Sequence, residues 1–233
     1  MITTAIILAG GFGTRLQTVV KDIPKPMAPV NGKPFLSFLL NSLEQQAIDQ
    51  CILSVGYKWK VIYDYFGSQF NSIKLTYCVE EAPLGTGGAI FKASHTFKEE
   101  EFFVLNGDTF FAADLHNLNT LHCQQKTLLS LVLKPMVNFD RYGVVVTNAE
   151  NKIISFEEKR YYEKGEVNGG IYIMNRKIFE QIKLQEKFSF EKDLMERYYS
   201  QMDFYGFPFN DYFIDIGIPE DYQRCQKELS LFF

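Results

Sequence analysis

Histidine and cysteine are scarce in this 233-residue sequence, with three and four copies. Cys51, Cys78, Cys123 and Cys225 are scattered and make no C-x-x-C pair, so neither a disulfide framework nor a zinc ribbon is expected. They read instead as reduced, mostly buried small apolar residues of a cytoplasmic protein. His122-Cys123 with His116 falls short of a metal site, because no second Cys or His cluster completes it. Positive charge is not in excess either. The formal net charge of −4 leaves no basic footprint and disfavours nucleic acid as a partner. No apolar run approaches the ~18 residues that span a bilayer, and no charged segment precedes the first strand as in a signal peptide, so no membrane role is expected. Internal repeats, linkers and low-complexity stretches are also missing. What abounds is aromatic, 22 Phe and 13 Tyr, as suits a well-filled core. The length fits one α/β domain, with two lobes still within range.

The chain is organised around its beginning. Ala5 to Ala9 is wholly apolar, as in a strand buried on both faces. It breaks into Gly10-Gly11-Phe12-Gly13-Thr14-Arg15, where three glycines let bare N–H groups approach a ligand. Arg15 adds a fork of donors suited to phosphate, and Lys25 adds a point charge. The spacing is not that of a Walker loop, which needs G-x-x-x-x-G-K-[ST]. Leu16 stands where a dinucleotide fingerprint needs its third glycine.

Further on, the periodicities alternate. Pro34 can open a helix whose stripe is Leu36, Leu39, Leu40, Leu43 and Ala47. Cys51 to Val55 reads as a strand, Trp59 to Phe66 as a helix and Ile73 to Val79 as a strand, a β-α-β-α order that predicts a doubly wound sheet with right-handed crossovers. Thr86, in Pro83-Leu84-Gly85-Thr86-Gly87-Gly88, is expected to cap the next helix. Phe102 to Leu105 reads as a strand with Asn106-Gly107-Asp108 at its carboxyl end, where open α/β sheets hold ligands. Gly107 carries no side chain to screen Asp108. Asp114 caps a helix from Leu115 to Gln125, and Leu128 to Lys134 is a strand followed by a loop, Asn138 to Gly143. Val144 to Thr147 and Lys152 to Phe156 read as a hairpin, trailed by Glu157-Glu158-Lys159. Asn168-Gly169-Gly170 is expected to precede a strand from Ile171 to Met174. Ser189 caps a helix through Glu196, Phe204 to Phe207 is a short strand, and Asp215 ends another before a helix opened by Pro219.

The order L-x-G-G-x-G-T-R-L with Lys25-Pro26 behind it closely resembles the signature of the sugar-1-phosphate nucleotidylyltransferases. Pro83-Leu84-Gly85-Thr86-Gly87-Gly88, Asp140-Arg141-Tyr142-Gly143 and Asn168-Gly169-Gly170 look most like the heptose 1-phosphate guanylyltransferases among them. The likeness covers nearly the whole chain. It implies a three-layer α/β/α Rossmann-like nucleotide-diphospho-sugar transferase fold with a mixed, mostly parallel central sheet. It also implies a single domain over residues 1–233, with a nucleotide part to about 110 and a sugar-phosphate part beyond. By the same resemblance Leu8, Gly10, Gly11, Gly13, Thr14, Arg15, Lys25, Glu80, Pro83, Gly85, Thr86 and Asp108 meet the nucleotide. Asn106, Tyr142, Gly143, Glu158, Lys159, Asn168 and Gly169 meet the sugar phosphate, with Glu158 on sugar hydroxyls and Lys159 on the phosphate. Asp108 and Asp215 resemble the two-carboxylate Mg²⁺ site, and Arg15, Lys25 and Asp108 the catalytic set. The implied product is a nucleotide sugar for cell-surface polysaccharide (capsule or lipopolysaccharide). Small members of the family commonly associate, so a homo-oligomer is left open.

These residue types suit nucleotidyl transfer. A sugar 1-phosphate attacking the α-phosphorus of a nucleoside triphosphate gathers several negative charges in one cleft. Two Asp residues can hold Mg²⁺, a hard cation, while Arg15, Lys25 and Lys159 neutralise phosphate. The attacking phosphate is already an anion, so no general base is needed, which fits histidines that lie in no motif. At Glu80, thymidylyltransferases of the superfamily carry glutamine. A carboxylate only accepts, so it repels the carbonyls of uracil and thymine and suits the adjacent N1–H and N2–H of guanine. GTP is therefore favoured, with CTP behind it. The rival readings are a glucose-, mannose- or N-acetylmuramate-1-phosphate enzyme using another triphosphate, a cytidylyltransferase for an alcohol phosphate, and a non-catalytic sensor, which would be expected to have lost Arg15, Lys25 or an Asp.

Overall fold

The sheet is built by alternation with both faces buried. Ala5 and Ile7 of the first strand pack into one apolar cluster and Ile6 into another, and Cys51/Leu53 against Ile52 and Phe103/Leu105 against Phe102/Val104 repeat the pattern. The computed structural model describes residues 1–11, 23–183 and 185–232. In chain order the first half holds β1 (Thr4–Leu8), β2 (Pro29–Val30), β3 (Lys33–Pro34), α1 (Phe35–Gln45), β4 (Gln50–Val55), α2 (Trp59–Phe66), β5 (Gln69–Phe70), β6 (Ile73–Val79), α3 (Gly85–Ser94), β7 (Glu101–Asn106) and β8 (Thr109–Phe111). Then come α4 (Leu115–Gln125), β9 (Leu129–Phe139), β10 (Val144–Thr147), β11 (Ile153–Glu157), β12 (Tyr162–Asn175), α5 (Glu196–Tyr198), β13 (Phe204–Pro208), β14 (Phe213–Asp215) and α6 (Pro219–Glu228). A π-helical stretch, Phe190–Met195, runs into α5.

Eight strands form one sheet in the order β13-β9-β12-β7-β1-β4-β6-β5. Pairs β7–β1, β1–β4, β4–β6 and β13–β9 are parallel, whereas β12 is antiparallel to both neighbours and β5 to β6. The sheet is thus mixed and mostly parallel. Helices α1, α4 and α6 pack on one face, and α3 with the π-helical stretch on the other. The carboxyl ends of the parallel strands β1, β4, β6 and β7 lie on one side of the sheet, the side on which open α/β sheets hold ligands.

Three local expectations are corrected. Asn168-Gly169-Gly170 does not precede a strand but lies inside β12, which pairs with β9 on both sides of a register shift between Asn168 and Tyr172. Asn168 braces this bulge, accepting from Gly170 N at 3.0 Å and donating to Tyr172 Oη at 2.8 Å. Gly170 stands at φ +74°, where glycine is tolerated. The strand after α4 continues through Pro135 to Phe139, so the irregular loop shrinks to residues 140–143. Thr86 is not a cap. α3 starts at Gly85 with no side-chain cap, and the Thr86 hydroxyl instead accepts Phe190 N at 2.9 Å and donates to Glu191 Oε2 at 2.9 Å. Asp114 and Ser189 cap as expected, accepting from Asn117 N and Lys192 N.

Of the four thiols, Cys51, Cys78 and Cys225 are buried and Cys123 is exposed, all free. No helix among the described residues is long and apolar enough to cross a membrane.

Candidate active site

A cleft of about 620 Å³ opens at the carboxyl ends of β1, β4, β6 and β7. Its lining brings together Leu8, Gly10, Gly11, Lys25, Glu80, Pro83, Gly85, Thr86, Asn106 and Asp108, all named above from the sequence. Gly13, Thr14 and Arg15 lie outside the described residues. The cleft also takes in Gly56, Tyr57 and Glu191. Gly56-Tyr57 could have been found, since it follows a strand at the ligand-bearing end of the sheet. Glu191 carries no sequence signal, because an acidic residue in the first turn of a Ser-capped helix is what the helix dipole favours anyway.

At one end stands a charge cluster. Lys25 Nζ lies 2.5 Å from Asp108 Oδ2 and 3.8 Å from Asp215 Oδ1. Two residues separated by about a hundred positions meet here because β8 and β14 pair antiparallel, Thr109 opposite Asp215, and Ile216 N bonds Asp108 O at 3.0 Å. Gly107 has a different reason from the one read in the sequence. A Cβ there would run into the Leu8 carbonyl, whose oxygen accepts Gly107 N at 3.0 Å; the missing side chain lets the turn close on β1. Gly217 N donates to Asp215 Oδ1 at 2.7 Å. Burial, and after it the charge of Asp108, push the Asp215 carboxyl above its ordinary range, with Lys25 opposing. Among the described residues the two carboxylates share the Lys25 ammonium, and the Arg141 charge also favours ionised Asp215. Among the described residues no group of three or more His, Cys, Asp or Glu is placed to hold a metal. A pair of carboxylates is the donor set that Mg²⁺ takes when phosphates supply further oxygens, so Asp108 and Asp215 fit it.

At the other end, Glu80 sits beyond β6. Its Oε1 accepts from Ser54 Oγ at 3.3 Å and its Oε2 from Leu84 N at 3.1 Å. Gly10 makes room for it, since a Cβ there would stand 2.8 Å from Oε1. The carboxylate is therefore held as a fixed double acceptor in the cleft wall.

Of the sugar-side candidates Asn106 lines this cleft, while the others lie off its lining, with Tyr142 beside the carboxylate of Asp215. Tyr142 packs edge-on to Phe213 of β14 at 6.2 Å and accepts Arg141 Nη2 at 2.8 Å. Burial and the Asp215 charge push its phenol up. Arg141 is held in turn by Asp221, a buried carboxylate of α6. Gly143 lies against the end of β11, where a Cβ would be 2.5 Å from Glu157 O, so Tyr142-Gly143 and Glu158-Lys159 are neighbours. Glu158 and Lys159 are exposed. Gly169 is packed against Phe111, with a would-be Cβ 2.6 Å from the ring, and Asn106 against Gly170.

Such a cleft can take a phosphate at Lys25 and, at the Glu80 end, a ring that carries hydrogen-bond donors, which is what the comparisons with known proteins bear on. Residues 4–230 match the family described as Nucleotidyl transferase. The chain is 51% identical to D-glycero-alpha-D-manno-heptose 1-phosphate guanylyltransferase of Aneurinibacillus thermoaerophilus, over 97% of this chain and 98% of the relative. It is 51% identical to the protein of the same name from Campylobacter jejuni, over 94% and 96%. The crystal structure of HddC from Yersinia pseudotuberculosis complexed with GMP-PN superposes with a TM-score of 0.87 at 38% identity, covering 97% of this chain and 99% of that one. The chain therefore belongs to the nucleotidyl transferase family, and it is an enzyme of that family with the mixed-sheet nucleotide-diphospho-sugar transferase fold.

Proposed function

We propose that this enzyme transfers GMP from GTP to D-glycero-α-D-manno-heptose 1-phosphate, releasing pyrophosphate and a GDP-heptose for cell-surface polysaccharide. The names of the relatives supply the sugar, and one observation carries the rest. A cation-and-carboxylate cluster (Lys25, Asp108, Asp215) and a doubly anchored acceptor (Glu80) stand at the two ends of the cleft. That spacing of roles suits a nucleotide laid with its base toward β6 and its triphosphate toward β7.

In the reaction a phosphate oxygen of the sugar 1-phosphate forms a bond to the α-phosphorus while the bond to the β-phosphate oxygen breaks in line, and pyrophosphate leaves with the electron pair. The incoming phosphate carries about −1.5 to −2 charge at neutral pH, so no side chain has to remove a proton. Lys25 balances charge on the phosphates, a preorganised interaction that strengthens as charge develops. Asp108 and Asp215 would hold Mg²⁺, which when bound supplies further neutralisation of the phosphoryl oxygens. Glu80 accepts from guanine N1–H and N2–H. Tyr142 and Gly143, with Glu158 and Lys159, flank the sugar phosphate.

Pyrophosphate release by the purified protein, with GTP, CTP, UTP and dTTP against heptose, mannose, glucose and N-acetylmuramate 1-phosphates, tests the reading. GTP with the heptose phosphate is expected to give the highest kcat/KM, and EDTA to stop turnover. A different best pair, or activity untouched by EDTA, would sink the corresponding part.

A further inference from the structure

We propose that Glu191 reads hydroxyl groups of the sugar phosphate and so helps to determine which sugar is accepted, an inference that rests on the nucleotidyl-transfer reading of this cleft. Glu191 reaches the cleft from the π-helical stretch Phe190–Met195, packed over the start of α3. The approach is close because glycines allow it. A Cβ on Gly85 or Gly88 would overlap the backbone carbonyls of Phe188 and Glu186, and one on Gly87 the Phe188 ring. Gly87 N bonds Phe188 O at 3.0 Å, and Phe188 N bonds Leu84 O at 3.0 Å.

The carboxylate is oriented by two hydroxyls. Thr86 Oγ1 donates to Oε2 at 2.9 Å and Ser189 Oγ to the same oxygen at 3.2 Å. Each hydroxyl already accepts a backbone N–H, from Phe190 at 2.9 Å and Lys192 at 3.2 Å, so its one hydrogen is committed to Glu191. Oε2 is thereby taken, and among the described residues no donor reaches Oε1. A fixed carboxylate with a spare acceptor repels phosphate and selects an O–H or N–H partner.

Position decides which partner. Glu80, the acceptor at the base end, stands beyond β6, whereas the Glu191 segment leans toward β12 and β7. The Phe190 ring meets Tyr172 of β12 edge-on at 4.9 Å, and the Tyr172 hydroxyl takes the Asn168 amide at 2.8 Å. Glu191 is among the charges that push the Tyr172 phenol up, after burial. The segment runs into Glu196, the first residue of α5, whose carboxyl is raised first by burial and next by the charge of Glu158. Glu191 therefore lies toward the Asn106–Asn168–Glu158 side, where the ring hydroxyls of the attacking sugar phosphate would be.

The test measures KM for each substrate separately, with GTP and D-glycero-α-D-manno-heptose 1-phosphate, in wild type, Glu191→Gln and Glu191→Asp. Losing a hydroxyl bond to a carboxylate should raise KM for the sugar phosphate about 10- to 100-fold in Glu191→Gln and leave KM for GTP within about threefold. With a series of monodeoxy mannose 1-phosphates, the defect should vanish for the analogue that lacks the hydroxyl being read. A rise in KM for GTP with the sugar KM unchanged would assign Glu191 to the ribose and overturn the proposal, as would two unchanged KM values. If both variants fail to fold, judged by loss of a cooperative thermal unfolding transition, Glu191 is a structural brace and the proposal falls. Wild-type protein that turns over no sugar 1-phosphate would instead fail the underlying reading, a result distinct from active wild type with silent variants.

Discussion

Glu80→Gln exchanges one oxygen for an NH₂, and the structure decides which oxygen is lost. Oε2 accepts the Leu84 N–H at 3.1 Å, and only the carbonyl of the new amide can keep that bond. The NH₂ must then occupy the Oε1 position, beside Ser54 Oγ at 3.3 Å and in the space left by the absent side chain of Gly10. The Ser54 hydroxyl can turn and accept, so every local bond survives and the fold should be unharmed. What changes is the face shown to the base. Guanine N1–H and N2–H would meet one acceptor and one donor in place of two acceptors, a mismatch worth about 1–3 kcal/mol. That predicts a fall in kcat/KM for GTP of about 5- to 150-fold. The donor would at the same time meet a carbonyl of uracil or thymine, so UTP and dTTP should gain. Pyrophosphate release with GTP, CTP, UTP and dTTP at a fixed sugar phosphate measures both arms. An unchanged GTP value with an unchanged order of preference would refute the reasoning and remove Glu80 from base reading.

Other outcomes follow from the same geometry. Lys25→Ala should lower kcat/KM about 10²–10³-fold, as loss of a preorganised charged donor does, whereas Lys159→Ala should act chiefly on KM for the sugar phosphate; steady-state kinetics with each substrate varied separates the two. Gly87→Ala puts a Cβ into the buried Phe188 ring and should destabilise the fold by about 1–3 kcal/mol in denaturant titration. Gly11→Ala, where nothing described lies within 4 Å of a would-be Cβ and φ is not positive, should leave Tm unchanged and weaken GTP binding in calorimetry. His122 is buried, with Nδ1 2.8 Å from Ser130 Oγ and Nε2 without a hydrogen bond, and burial pushes its pKa below the ordinary 6.5. The unfolded chain then binds a proton that the folded chain refuses, so stability is full above pH 6.5 and falls below it, by at most about 1.4 kcal/mol per pH unit for this group. Urea titrations between pH 7 and 5 should show that slope in wild type and a flatter one in His122→Gln.

Much of the fold was legible where one local signal ruled. Trp59–Phe66, Ile73–Val79 and Leu115–Gln125 have the bounds that apolar period and capping predict, because a helix stripe or a short apolar-rich strand needs no distant information. The strand β12 was cut short because Asn168-Gly169-Gly170 punctuates it. Two glycines after Asn normally end a strand, and only the pairing with β9 on both sides shows that a bulge carries the strand across. Thr86 was misread for a similar reason. A hydroxyl before a helix is a good cap until a segment a hundred residues away supplies it with an N–H and a carboxylate. The cleft itself was legible because carboxyl strand ends, glycines and isolated charges mark it locally. The meeting of Asp108 with Asp215 was reached from the sequence only through family likeness, since their contact depends on the β8–β14 pairing.

Glycine shows where such reading stops. A bare backbone N–H serves a phosphate and a neighbouring chain segment equally well, so the residue type says that something comes close without saying what. The atom that would collide with a Cβ separates the cases. At Gly107 it is the Leu8 carbonyl, at Gly85 and Gly87 it is Phe188, and at Gly10 it is the Glu80 carboxylate. These glycines are used up by the protein. Three of them assemble the walls of the cleft by letting β7 close on β1 and by seating the 186–191 segment that delivers Glu191 over α3. Among the described glycines that line the cleft, Gly11 alone has nothing described within 4 Å of a would-be Cβ. The two kinds of glycine should part experimentally, Gly11 showing its effect in binding and the wall-building positions theirs in stability.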